Sequence, residues 1–248
     1  LDEIALRKGK RDFVLIISAQ QPEGVAILAV LPDRKKATVR AFFESIPERL
    51  RPTLASVCTD MWEGYINAAR EFEAAHDDVT IQVVVDRFHV AQAYRQAVDK
   101  LRKQVQRQLK QDLSAEAYAE LKGVHIVLRQ NNADLRDEQR QQLRRLFAYA
   151  PDLKQAYTLR EELTALFEMP LSRQEAMQRL DVWQAKVQRS GLTCFNAFLK
   201  TLTNWRDEIA NYFSNRLSSG FVEGLNNKIK TIKRRCYGMT HVGHLFQR

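Results

Sequence analysis

Phe13-Val14-Leu15-Ile16-Ile17-Ser18, then Pro22-Glu23-Gly24, then Val25-Ala26-Ile27-Leu28-Ala29-Val30-Leu31, is the stretch from which the fold can be read. Both flanks are unbroken apolar runs rich in β-branched residues, the composition of buried strands. The polar turn between them makes the pair a hairpin. Upstream, Leu1 to about Gly9 carries a short apolar alternation at Ile4 and Leu6, which adds a third strand and gives a meander. Downstream, residues 38–49 read as a helix with Val39, Phe42, Phe43 and Ile46 on one face. Leu54 to Thr59 reads as a strand ending on Asp60, Glu63 to Ala75 as a helix, and Val79 to Val85 as a strand ending on Asp86. The order β-β-β-α-β-α-β predicts an α/β fold, a mixed sheet with helices on its faces.

From Val90 to about Tyr212 the texture changes. No strand pattern is present, and helical segments are separated by breaks at Ser114, Gly123, Asn131-Asn132, Pro151, Pro170 and Gly191. Pro151 is placed at a helix start, where its missing N–H has no cost. Leu101, Val105 and Leu109, and again Leu143, Leu146 and Phe147, have the spacing of helix core. This block is large enough to be a domain. Trp183 and Trp205 lie in it; most tryptophans at helical spacing are core, although a tryptophan can also stack on a displaced base.

After the block, residues 218–235 read as one more helix. Ser218 or Ser219 can cap it, and Phe221, Leu225, Ile229 and Ile232 form an apolar stripe. Glu223, Asn227, Lys230 and Arg234 form a second, polar stripe. Beyond Glu223 the helix carries Lys228, Lys230, Lys233, Arg234 and Arg235, and no further acid precedes Arg248. A carboxylate that can bind a cation, followed by cations that can bind phosphate, suits metal-dependent chemistry on nucleic acid. The alternative is a solvated basic face, but the one-sided sign favours nucleic acid.

The net charge of +9 in 248 residues, with a pI of about 9.6, favours a polyanionic partner, nucleic acid before an acidic membrane surface. Cys58, Cys194 and Cys236 are isolated, without the paired spacing of a zinc module or a disulfide framework, which points to a reducing compartment. No run is apolar and long enough to span a bilayer, and no signal peptide is visible. No helix pairs a strong apolar face with a wholly basic one, so a membrane-surface role is disfavoured.

Asp60 and Asp86 each follow a strand directly, the place where open sheets gather ligands. Each also precedes a helix, which an Asp can simply cap. Asp2 has little local support and gains weight only if its strand lies beside the one ending on Asp60. Glu223 would then arrive from the C-terminal helix, and three acids from three elements would offer oxygen ligands that suit magnesium. His89, in Asp86-Arg87-Phe88-His89, opens a helix near these acids. It can be a structural histidine or a contact to phosphate or a leaving group.

Together these residues resemble a known family. Ser214 through Lys230, continuing to Lys233-Arg234-Arg235-Cys236-Tyr237-Gly238, resembles the C-terminal catalytic segment of bacterial insertion-sequence transposases of the ISL-three type. Leu1-Asp2-Glu3-Ile4-Ala5-Leu6-Arg7-Lys8-Gly9 and Cys58-Thr59-Asp60-Met61-Trp62-Glu63-Gly64-Tyr65 resemble the segments bearing that family's first and second catalytic Asp. Val85-Asp86-Arg87-Phe88-His89-Val90 is similar to its acid-x-x-His motif, shared with the Mutator and hAT groups. One departure is Ser219-Gly220 where many relatives have Asn-Gly; Ser caps a helix equally well.

The resemblance implies an RNase H-like catalytic domain in residues 1–98 and 212–248, interrupted by an all-helical insertion in residues 99–211. It implies a catalytic and metal-binding triad of Asp2, Asp60 and Glu223, with Mg2+ or Mn2+. The implied reaction is DNA strand cleavage and strand transfer during transposition. Contacts to DNA at transposon ends and target would come from Asp86, His89, Asn226, Asn227, Lys228, Lys230, Lys233, Arg234 and Arg235. It further implies a cytoplasmic bacterial protein acting as a homodimer or higher oligomer. The family's N-terminal zinc-binding and helix-turn-helix region is not in this sequence, which reads as a fragment starting just before Asp2. A competing reading is a catalytically degenerate RNase H-like protein that binds DNA or organises an assembly.

Overall fold

The computed structural model describes residues 1–5, 13–21 and 24–217 and, beyond them, Gly224, Asn227, Lys228, Thr231 and Arg235. The chain divides into two compact units: Leu1–His89 with Asp207–Arg248, and Val90–Arg206. It is a mixed α/β protein in which helices predominate.

In the first unit, β1 (Asp2–Ala5), β2 (Phe13–Gln21) and β3 (Gly24–Leu31) form the expected antiparallel meander in the order β1-β2-β3. Asp2 pairs with Ile16 and Glu3 with Leu15. A bulge between Ile17 and Ser18 shifts the register against β3. Gly24 opens β3 at φ 137°, a conformation L side chains rarely adopt. Val14, Leu15 and Ile16 are fully buried, so β2 is covered on both faces, as its unbroken apolar run requires.

The parallel pair β4 (Ser56–Thr59) and β5 (Gln82–Val85) follows, with Thr59 opposite Val85. The Leu1 nitrogen donates to the Cys58 carbonyl oxygen at 2.8 Å, which sets the start of β1 against β4. The helices α1 (Lys36–Glu44) and α2 (Glu63–Ala74) pack on each other. They bury Val39, Phe43, Tyr65, Ile66 and Phe72, and Phe43 stacks on Phe72. Each such side chain contributes roughly 1.5–3 kcal/mol of burial.

Three expected boundaries move. The helix expected over residues 38–49 is α1, ending at Glu44, and a 3-10 turn, Glu48–Thr53, takes up the rest. Pro47 sits between them and disfavours α geometry in the residue before it. The strand expected from Leu54 begins at Ser56, and the one expected from Val79 begins at Gln82. Val79 and Ile81 are buried nonetheless. Buried apolar residues beside a short strand continue its sequence pattern without joining its ladder.

The second unit is helical among its described residues. The long α3 (Arg87–Asp112) leads into it, followed by α4 (Ala115–Ala119), α5 (Val124–Val127), α6 (Asp137–Tyr149), α7 (Pro151–Glu168), α8 (Arg173–Ser190) and α9 (Asn196–Asn204). The breaks fall where the sequence places them. Ser114 caps α4 through its side chain, Gly123 precedes α5 at φ 81°, Pro151 opens α7, and Gly191 ends α8 at φ 70°. Ser172 and Glu175 form a reciprocal capping box at the start of α8. Trp183 is core, 3% exposed, with its indole N–H on the Leu159 carbonyl oxygen at 2.8 Å and its ring edge-on to Phe195 and Phe198.

The chain returns to the first unit through α10 (Arg206–Asn215). The Asn211 amide donates to the Val83 carbonyl oxygen at 2.8 Å, seating α10 on β5. Gly224, Asn227, Lys228, Thr231 and Arg235 are helical and exposed. Glu223, Asn226, Lys230, Lys233, Arg234 and the apolar stripe expected from Phe221 to Ile232 lie outside the described residues. No helix among the described residues is long and apolar enough to cross a membrane.

Candidate active site

The site is assembled at the carboxyl end of the parallel pair. The Asp86 N–H donates to the Thr59 carbonyl oxygen at 2.8 Å, so the residues following β4 and β5 leave the sheet side by side. The two acids then make the same turn. Asp60 Oδ1 accepts the Trp62 N–H at 3.0 Å, and Asp86 Oδ1 accepts the Phe88 N–H at 3.0 Å. Each is an Asx turn, the local reason an Asp sits between strand and helix. The capping reading holds for Asp86, which directly precedes α3 and accepts the N–H of its second residue; Asp60 bonds only to Trp62, the residue that precedes α2, and does not cap that helix.

Their environments differ. Asp86 is 2% exposed, whereas Asp60 is half-buried. The Asp60 carboxyl is pushed above the ordinary carboxylate range, first by burial, then by the charge of Glu3 and less strongly by that of Asp2. His89 and the Trp62 N–H act in the opposite direction. Asp60 thus lies within electrostatic reach of β1 and of the start of α3. Asp2 is half-buried, and its Oδ1 accepts the Glu3 N–H at 2.7 Å. His89 is half-buried, its N–H on the Asp86 carbonyl oxygen and its ring edge-on to Phe88. The Thr59 hydroxyl, beside Asp60, is buried and has no hydrogen-bond partner among the described residues.

Sequence reasoning missed the carboxylate that acts most strongly on Asp60. Glu3 accepts from the Tyr65 hydroxyl at 2.6 Å and from Arg34 at 3.4 Å, and its side chain is 13% exposed. Arg34 in turn lies over the Trp62 ring, 4.2 Å from its centroid. The available signal was the Asp2-Glu3 doublet. Successive strand residues face opposite ways, so one of two adjacent acids in a buried strand must find partners inside.

Oxygen-only donors of this kind fit a hard divalent cation, and the mutual repulsion at Asp60 is what such an ion relieves. Among the described residues, no three His, Cys, Asp or Glu side chains are grouped closely enough to hold a metal ion. Glu223, the expected third ligand, is outside the described residues.

This set of segments defines a class of protein. The whole chain, residues 1–248, matches the transposase family of the ISL3 type, and the chain belongs to that family. It is 31% identical over 249 residues, 99% of its own length, to the transposase of insertion sequence element IS1001 from Bordetella parapertussis. It spans 58% of that relative. A shorter match, 30% identical over 118 residues and covering 48% of the chain, links it to the transposase of IS1557 from Mycobacterium tuberculosis, 26% of which is spanned. No solved structure matches the chain.

Proposed function

We propose that this chain is the catalytic part of a DDE transposase, cleaving DNA strands and joining them to a target. In this reading the first unit is an RNase H-like domain with Asp2, Asp60 and Glu223 as its triad. The helical unit is then an insertion between Asp86 and Glu223. The observation that carries the proposal is the convergence of β1 and β4: Leu1 bonded to Cys58, and an Asp60 carboxyl whose proton affinity is raised by burial and then by Glu3 and Asp2.

Asp2, Asp60 and Glu223 would hold magnesium or manganese. Such an ion, when bound, activates a water or a DNA 3′-hydroxyl and stabilises the departing 3′-oxygen. The chain's own residues do the rest. Asp86 fixes the turn that opens α3 at Phe88 and His89, and His89 would contact a phosphate. Asn227, Lys228 and Arg235 stand exposed on the C-terminal helix, where with Asn226, Lys230, Lys233 and Arg234 they would hold the backbone without reading sequence. The working assembly would be a homodimer or higher oligomer on transposon ends.

Asp60→Asn and Glu223→Gln test the proposal in a strand-joining assay with magnesium, manganese or EDTA. The expected outcome is loss of joining with DNA binding retained. Joining at the wild-type rate in either variant would remove that carboxylate from the mechanism. Salt-sensitive DNA binding with no metal-dependent cleavage would favour the degenerate reading.

A further inference from the structure

The helical unit holds a cluster of arginines around one recess. Arg102 sits on the buried side of α3, 8% exposed, on the same face as Val98 and Leu109. A buried guanidinium is costly unless its donors are met. Among the described residues, Arg102 is met by its own helix alone, on Asp99 at 2.8 Å and on Gln106. Asp99 also serves Lys103 at 2.9 Å and Arg129 at 3.6 Å, so one carboxylate answers three cations.

Arg160, on α7 and 2% exposed, lines the same recess. Its terminal nitrogens donate to the Leu128 and Gln130 carbonyl oxygens and to Glu161, while its Nε has no hydrogen-bond partner among the described residues. Arg95 completes the rim, and its one acceptor among the described residues is the neutral side-chain oxygen of Asn131 at 3.4 Å. Among the described residues, Arg95, Arg102, Lys103, Arg129 and Arg160 therefore have two carboxylate partners between them, Asp99 and Glu161. The recess is about 50 Å³ and has Val98 and Leu128 as its apolar lining. At roughly 10–15 Å³ for one water-sized body, it has room for a group the size of a phosphate. Planar guanidinium forks match phosphate oxygens, and a deficit of acid leaves the cluster short of an anion.

We infer that this recess is an anion seat that takes one backbone phosphate of a nucleic-acid strand. The helical unit then grips DNA itself, beyond separating the acids along the chain. The choice of nucleic acid rests on the proposed function; the arginine–phosphate chemistry of the seat does not. Free phosphate has the same chemistry, and the test separates the two.

The test compares the full chain carrying Arg95→Ala with Arg129→Ala against a control carrying Arg189→Ala with Lys200→Ala. All four positions are exposed, and both variants lose the same charge. Affinity for a short duplex is measured across a salt series, and inorganic phosphate binding by calorimetry. The recess variant is expected to bind DNA about tenfold more weakly at ~0.1 M salt, with the slope of log K against log salt reduced by about 1. The control should keep the wild-type slope. Equal slopes in the two variants overturn the inference. So does loss of phosphate binding with an unchanged DNA slope, because the seat would then serve free phosphate. If thermal melting shows the double variant is misfolded, Arg129→Gln, whose side chain is 66% exposed, is read against the same outcomes. Failure of the catalytic proposal looks different: joining becomes independent of Asp60 while the salt slope is untouched.

Discussion

The Tyr65 hydroxyl donates to Glu3 at 2.6 Å, bonding the first turn of α2 to β1 across 62 positions of sequence. Tyr65 is fully buried, and burial, followed by its hydrogen bond to Glu3, pushes its phenol far above the ordinary tyrosine value. It therefore remains a donor at every working pH. Tyr65→Phe keeps the ring packing and removes one donor from a mostly buried carboxylate. The expected loss is about 1–3 kcal/mol of stability, read as a lower urea midpoint with an unchanged slope. An unchanged midpoint would mean that Arg34 alone satisfies Glu3.

Asp60 gives a prediction of opposite sign. Its carboxyl is raised by burial and by Glu3, so the folded chain holds that proton more tightly than the unfolded chain. Stability from this group is fully present below the ordinary carboxylate value and is lost as pH rises through the folded value. At neutral pH and without divalent cations, Asp60→Asn should therefore melt at a higher temperature than the wild type. The gap should close as the pH falls toward 4. Adding magnesium should raise the wild-type melting temperature and leave the variant nearly unmoved. A variant less stable than wild type at pH 7 would show that the Trp62 N–H, which an Asn oxygen holds less strongly, outweighs the repulsion.

Local patterns made much of this legible. The apolar runs at Phe13 and Val25 specified a hairpin, but the buried-strand reading holds for β2 alone: on β3, Val25, Ile27 and Leu28 are exposed. Gly123, Pro151 and Gly191 marked helix ends because positive φ and a missing N–H restrict where a helix can continue. That Asp60 and Asp86 follow the ends of strands was legible from position alone. The grouping around Glu3 was not legible, because Tyr65 and Arg34 reach it only after β1 and α2 come together. Arg102 and Arg160 were equally hidden. A charge on a buried helix face departs from the pattern without naming its partner, and the carbonyl oxygens that receive Arg160 belong to a loop 30 residues upstream.

Arg70 and Glu208 form an ion pair between α2 and α10, 138 positions apart in sequence. Glu208 is 3% exposed, while over half of the Arg70 side chain faces solvent. The asymmetry sets the expected result. Arg70→Ala leaves a buried carboxylate without its charged donor and should cost about 2–3 kcal/mol. Glu208→Gln leaves a neutral amide that still accepts from Arg70 and should cost less. Because α10 also bonds to β5 through Asn211, loosening it should increase hydrogen exchange at Val83 and its neighbours. Equal costs for the two variants would indicate that the pair acts through packing, not charge.

Cys194, half-buried in the helical unit, tests that unit independently. Burial pushes its thiol up to about 11, with the nearby Asp152 charge acting in the same direction and the N–H groups of Cys194 and Phe195 opposing. Only about one thiol in a thousand is then ionised at pH 8 in the folded chain. Because the folded value is raised, stability from this group holds below the ordinary thiol range and is lost as pH rises toward 11. Iodoacetamide labelling of Cys194, followed by mass spectrometry of its peptide, should accelerate about tenfold per pH unit from 8 to 10. A solvated thiol would level off near pH 9. In urea that unfolds the unit, the Cys194 profile should collapse onto that of a free thiol. A folded-state profile that already levels off near 9 would mean that the segment from Thr193 to Phe195 opens faster than it reacts.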